Sequence, residues 1–225
     1  MALATAGASG ATVMAAQGRE EALALADAWE VPPDVVVSDL LLRAGDNGLA
    51  VLEDFGDALF ARVIADGADE APLYLAAIEA LATLHDAGDP PAVLSGPGGD
   101  WPMLTYDEIA LQGGADLFVE WLPRLDARAT FDAAIVADWR EAWAPIVASG
   151  AGGASVMAHR DYHAENLIWL PDRSGPARVG LIDFQDAVRA HPSWDLHSLL
   201  QDARRDVPAV VEASMLARYR ESTGV

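Results

Sequence analysis

The chain has 225 residues, 52% of them hydrophobic, which is enough apolar material for one good core or two small ones. Its formal charge of −21 comes from 35 acidic against 14 basic residues, all of the latter arginine. This balance argues against nucleic-acid backbones and anionic membrane surfaces as partners, since both are held by clusters of Lys and Arg, whereas a cationic substrate would be tolerated.

In chain order, Ala11 to Ala16 reads as a short strand, and Arg19 to Trp29 as a helical stretch ended by Pro32-Pro33. A second strand over Val35 to Leu42, the turn signal Gly45-Asp46-Asn47-Gly48 and the apolar run Leu49 to Leu52 together predict a hairpin. From Pro72 onward Leu73, Ala77, Ile78, Leu81 and Leu84 recur at helical spacing, with proline near the first turn. Asp86 to Gly99 reads as a Gly/Pro-rich loop, Asp107 to Trp121 as a helix, and Phe131 to about Val147 as another whose Ile135, Trp139, Trp143 and Ile146 are expected in the core. Strands therefore dominate the first fifty or so residues and helices the next hundred. The order predicts an α+β protein with a small lobe over 1–54 and a larger, mainly helical lobe over 55–225. With no cysteine there is no disulfide framework or thiolate zinc site. Met1 to Gly18 lacks the basic region that opens a signal peptide, and no apolar run reaches membrane-spanning length, so a cytoplasmic, monomeric protein is expected.

The informative segment runs from His159 to Asp183. His159-x-Asp161-x₄-Asn166 leads into two apolar runs, Leu167 to Leu170 and Val179 to Ile182, around a turn rich in Pro, Asp, Ser and Gly. This predicts a hairpin whose midpoint falls between Ser174 and Gly175, so that Asn166 meets Asp183 at the open end. An amide oxygen beside a carboxylate suits Mg²⁺, a hard cation that keeps its remaining positions for water and phosphate oxygens. Asp161, on the incoming loop, is placed to orient a substrate hydroxyl and accept its proton. Taken singly, each of these residues reads as a turn or strand-end residue. Their joint order carries the functional reading, and His159 is expected to brace the loop through backbone hydrogen bonds. No paired-histidine pattern supports zinc.

His159-Arg160-Asp161 with Asn166, then Ile182-Asp183-Phe184, resembles the motifs of aminoglycoside phosphotransferase and choline-kinase-like enzymes. The longer strings His159 to Pro171, Ile182 to Ala187 and Leu199 to Val207 are similar to the bacterial cell-wall amino-sugar kinases, which phosphorylate N-acetylmuramate and N-acetylglucosamine at the anomeric hydroxyl. The resemblance extends from about Leu49 to the C-terminus. It implies a protein-kinase-like two-lobe fold, ATP and Mg²⁺ as cofactors and a small sugar as substrate. By the family pattern Asp161 is the base, Asn166 and Asp183 hold the metal, and Asp195 braces the catalytic loop, although Asp195 also fits a helix N-cap. Glu53 and Phe55 fall in a stretch that resembles the interlobe hinge, which holds adenine.

The sequence departs from that pattern near its start. Only one strand is expected before the first helix, Gly7-Ala8-Ser9-Gly10 is too sparse for a phosphate-binding Gly-rich loop, and no lysine is present, leaving Arg19 as a candidate for the nucleotide phosphates. These departures predict an incomplete N-terminal lobe and a chain lacking segments at both ends. They keep open two alternatives, an aminoglycoside phosphotransferase and a kinase-like protein without catalytic activity. Acceptor-site residues are expected near Trp101, Tyr106 and Glu108.

Overall fold

The computed structural model describes residues 55–96, 99–184 and 186–224, together with three short strands nearer the N-terminus. Those strands, β1 (Leu3–Thr5), β2 (Thr12–Ala16) and β3 (Leu49–Ala50), form an antiparallel sheet in that order, with Leu3 opposite Met14 and Ala15 opposite Ala50. The expectation of a lone strand at the start is thus corrected. A single strand leaves its N–H and C=O groups unpaired, and Leu3-Ala4-Thr5 supplies the partners. The expected helix from Arg19, the strand over Val35 to Leu42, and Glu53 lie outside the described residues.

Helix α1 (Phe60–Ala65) leads into α2 (Glu70–His85), which organises the core. Asp69 caps α2 by accepting from the Ala71 amide at 3.1 Å. The predicted apolar face is the buried one: Leu73, Ala77, Ile78 and Leu81, joined by Tyr74, Ala76 and Ala82. Against it pack Met215 and Tyr219 of α6 (Ala209–Thr223) and Leu196, Leu199 and Leu200 of α5 (Ser193–Leu200). Leu167 and Val179, from the paired strands β7 (Leu167–Trp169) and β8 (Val179–Leu181), complete the cluster.

The predicted Gly/Pro-rich loop holds a hairpin in its later part. Strands β4 (Val93–Gly96) and β5 (Gly99–Pro102) pair with Val93 opposite Pro102 and Leu94 opposite Trp101. Of the Gly and Pro residues that argued for a loop, Gly88, Pro90 and Pro91 precede this ribbon, whereas Gly96 and Gly99 pair across it.

Helices α3 (Glu108–Leu125) and α4 (Ala133–Gly152) start at side-chain caps, Asp107 to the Ala110 amide at 2.9 Å and Asp132 to the Ile135 amide at 2.9 Å. The core assignment for α4 is only partly right: Trp139 and Trp143 are half-buried, but Ile135 and Ile146 are exposed. The two helices pack chiefly on each other, through a stack of Phe118 of α3 on Trp139 of α4 (5.0 Å, 13°), and within α4 Trp139 also meets Trp143 (5.6 Å). A pair of helices covers only its inner stripe, so the outer apolar residues stay in solvent.

Truncating Ile78, fully buried in α2, is expected to cost about 3 kcal/mol, the range for losing a branched aliphatic side chain from a core. Ile135→Ala, on the exposed side of α4, is expected to cost under about 0.5 kcal/mol. Urea unfolding of the two variants measures the difference directly.

Candidate active site

Two short antiparallel ribbons frame the site. Strand β6 (Val156–Ala158) pairs with β9 (Val188–Ala190), and β7 pairs with β8. The segment 159–166 runs from the end of β6 to the start of β7, and 182–187 returns from β8 to β9, so both loops open at the same end of the two ribbons. Below them, the Ala61 amide donates to the Ala164 carbonyl at 3.0 Å and the Trp169 amide to the Ala58 carbonyl at 2.8 Å, tying the first loop to the segment around α1.

The register of β7 with β8 differs from the expected one. Leu167 faces Leu181 and Ile168 faces Gly180, and the Ile182 amide donates to the Asn166 carbonyl at 3.2 Å. Asn166 therefore stands opposite Ile182, and Asp183 lies one residue beyond. The cause is the connection: a 3₁₀ turn over Gly175–Arg178 makes it an odd-numbered loop, 171–177, where the symmetric reading assumed an even one. One residue of offset would send Asp183 to the opposite face if the strand continued straight. The strand does not, because Asp183 takes a left-handed backbone with φ of 63°.

Asn166 is tied inward. Its Nδ2 donates to the Asp161 carbonyl at 3.0 Å, which leaves Oδ1 as the oxygen these bonds do not use. His159 is buried, and its Nε2 donates to the Ile182 carbonyl at 2.9 Å, joining the first loop to the residue before Asp183. Burial holds its imidazole below the ordinary value of 6.5, against the opposing pull of Asp195, the Ile182 carbonyl, Asp161 and Asp183.

Asp195 sits in the first turn of α5 and is fully buried. Its Oδ2 accepts from the His159 amide at 2.7 Å and its Oδ1 from the Arg160 amide at 2.9 Å. Helix α5 has Pro192 at its cap position, so the N-cap alternative for Asp195 does not hold. The two bonds secure a backbone that needs them, because Arg160 has φ of 81°, rare for a residue with a side chain. The Arg160 carbonyl accepts in turn from Trp194 Nε1 at 3.1 Å and Ser198 Oγ at 3.3 Å. Tyr106 meets Trp194 edge-on at 4.5 Å, which brings one of the three expected acceptor-side residues to the loop, whereas Trp101 and Glu108 are exposed.

Phe55, the described part of the expected hinge, lies over β8. A Cβ at Gly180 would stand 2.9 Å from its ring, so glycine there lets the ring approach the strand. Among the described residues no group of three or more His, Asp or Glu side chains forms a metal cage.

The pattern of the APH phosphotransferase enzyme family matches residues 19–224. The chain belongs to this family. Among its relatives are proteins named N-acetylmuramate/N-acetylglucosamine kinase. The one from Caulobacter vibrioides is 53% identical over 204 residues, covering 91% of this chain and 56% of the relative. Those from Pseudomonas putida and Pseudomonas aeruginosa are 31% and 29% identical, covering 72% and 90% of this chain and 44% and 60% of theirs. The chain thus spans about half the length of the relatives it matches.

Residues that sequence reasoning passed over also support the 159–166 loop. Trp194 and Ser198 hold the Arg160 carbonyl, and His85 reaches to 3.7 Å of Asp195. The signal available was the spacing of Trp194 and Ser198 from Asp195 on one helical turn, together with a histidine closing the most apolar helix.

His163, also buried, is likewise held below 6.5, first by burial and then by Arg204. Both imidazoles therefore favour folding while neutral. The unfolded chain takes up protons first as the pH falls below 6.5, so stability present above that value is lost below it. The urea midpoint is expected to drop between about pH 7 and pH 5, and less steeply in His163→Gln. An identical slope in that variant would remove His163 from the account.

Proposed function

We propose that this chain is the catalytic part of an ATP-dependent phosphotransferase acting on a sugar hydroxyl, the anomeric hydroxyl of N-acetylmuramate or N-acetylglucosamine. What supports the reading is that the Asn166 side chain bonds back to the Asp161 carbonyl and His159 bonds across to the Ile182 carbonyl, next to Asp183, in a chain 53% identical to a relative named for those two sugars. In this reading the small N-terminal sheet belongs to a nucleotide-binding lobe over 1–54 and the helical remainder to a catalytic lobe, as in a two-lobed kinase. Phe55 and Glu53 mark the adenine-side hinge between them.

The chemistry asks for little covalent participation by the protein, because phosphoryl transfer is governed by positioning and charge stabilisation. Asp161 orients the sugar hydroxyl and takes its proton as the oxygen bonds to the γ-phosphorus and the bond to the ADP oxygen breaks. Asn166 Oδ1 and the Asp183 carboxylate are the hard oxygen donors that Mg²⁺ requires, and when bound the cation offsets the negative charge of the phosphates. His159 ties the two loops together through the Ile182 carbonyl, Asp195 holds the first of them by two amides, and Tyr106 with Trp194 lines the approach to Arg160 on the acceptor side.

ADP release with ATP, Mg²⁺ and N-acetylmuramate tests the reading. Asp161→Ala and Asp183→Ala are each expected to slow turnover by about 10²–10⁴-fold, and equal rates in all three proteins would sink it. N-acetylglucosamine and an aminoglycoside run beside N-acetylmuramate distinguish the sugar acceptor from the cationic one that the −21 charge would tolerate.

A further inference from the structure

A buried polar chain runs from the C-terminal helix to the catalytic loop. Tyr219 of α6 places its hydroxyl 2.7 Å from His85 Nδ1 at the end of α2, and His85 Nε2 lies 3.7 Å from Asp195 Oδ2. Asp195 in turn accepts the His159 and Arg160 amides. All three side chains are at least nine-tenths buried: Tyr219 is 4% exposed, His85 8% and Asp195 0%.

The direction of the chain follows from its donors. The Tyr219 hydroxyl is pushed up to about 12, first by burial and then by the charge of Asp195, so it stays protonated and its O–H donates to Nδ1. With Nδ1 accepting from Tyr219, the ring N–H of His85 is on Nε2, the atom facing Asp195, and that nitrogen has no hydrogen-bond partner among the described residues. At 3.7 Å the contact is too long for a hydrogen bond, so it acts as a directed electrostatic attraction on Oδ2. Tyr162, the other buried phenol that feels Asp195, donates instead to the Ala77 carbonyl at 2.7 Å and contributes nothing to this line. A phenylalanine at 219 would fill the same space, so packing alone does not call for the hydroxyl.

We propose that Tyr219 and His85 are positioning residues of the catalytic loop, acting through Asp195, so that the seating of α6 on α2 sets the placement of Asp161. The carboxylate has two jobs that constrain it from opposite sides. Its oxygens must meet two amides of a loop whose Arg160 backbone is left-handed, and its rotation is checked from behind by His85, itself oriented by Tyr219. Losing the hydroxyl frees the imidazole to turn, and the carboxylate with it.

Only the kinetic arm of the test rests on the phosphotransferase reading. Tyr219→Phe and His85→Gln are compared with Arg218→Gln, a control on the same helix whose exposed guanidinium pairs with Glu79. Each protein is assayed for ADP release with ATP, Mg²⁺ and N-acetylmuramate. Backbone amide exchange is followed at His159 and Arg160 against Leu81 in the core. Tyr219→Phe is expected to lower kcat about tenfold, the scale for removing a hydrogen bond that orients another functional group. KM should stay within about twofold, and exchange should quicken at 159–160 but not at Leu81. Tyr219→Phe with wild-type kcat and wild-type exchange at 159–160 would overturn the proposal, as would a uniform rise across the core. A wild-type chain without turnover would overturn the phosphotransferase reading, and the exchange comparison would still decide this one.

Discussion

Two backbone N–H groups at the start of the 159–166 loop, those of His159 and Arg160, donate to one buried carboxylate, that of Asp195. A buried amide without a partner carries a desolvation cost of about 1–3 kcal/mol, and here there are two of them beside a residue in an unfavourable conformation. Asp195 converts that local conflict into a rigid anchor. The left-handed turn at Arg160 redirects the chain so that Asp161 and Asn166 reach the open end of the β7–β8 ribbon. Without the carboxylate the loop would relax toward ordinary dihedrals, and the relation between Asp161 and Asp183 would be lost.

The rest of the molecule supplies the conditions under which that anchor works. Helix α2 buries one face against α5 and α6, which fixes where α5 begins and hence where Asp195 sits. The hairpin contributes Leu167 and Val179 to the same core, so the loop and its support rest on one body. His159 closes the arrangement by bonding across to the Ile182 carbonyl. Helices α3 and α4 stand apart from this core, with their aromatic stack between them and Tyr106, just ahead of α3, reaching the loop through Trp194.

Much of this was legible residue by residue. The periodicity from Leu73 to Leu81 predicted α2 and its buried face, since a 3.6-residue repeat of large aliphatics has few other stable outcomes. The flanking apolar runs predicted the β7–β8 hairpin. Its register was misread by one, because a loop's residue count does not reveal that part of it will coil into a 3₁₀ turn. The apolar stripe of α4 was misread in part for a related reason: amphipathicity says that a face is apolar but not how wide the partner covering it will be.

The amino-acid sequence by itself determined which chemical groups are present and their order: His-x-Asp-x₄-Asn, a hairpin, then Asp, with no lysine in the chain. Those are properties of composition and short-range spacing, and local conformational preferences are enough to carry them. Only the tertiary structure decided that Asp195 would bond the loop amides and not cap its own helix, that Asp183 would turn left-handed one residue past Ile182, the partner of Asn166, and that His85 and Tyr219 would line up behind Asp195. Each of these joins residues from different elements, up to 134 positions apart in the case of His85 and Tyr219. Their meeting depends on how whole helices pack, which no local pattern encodes.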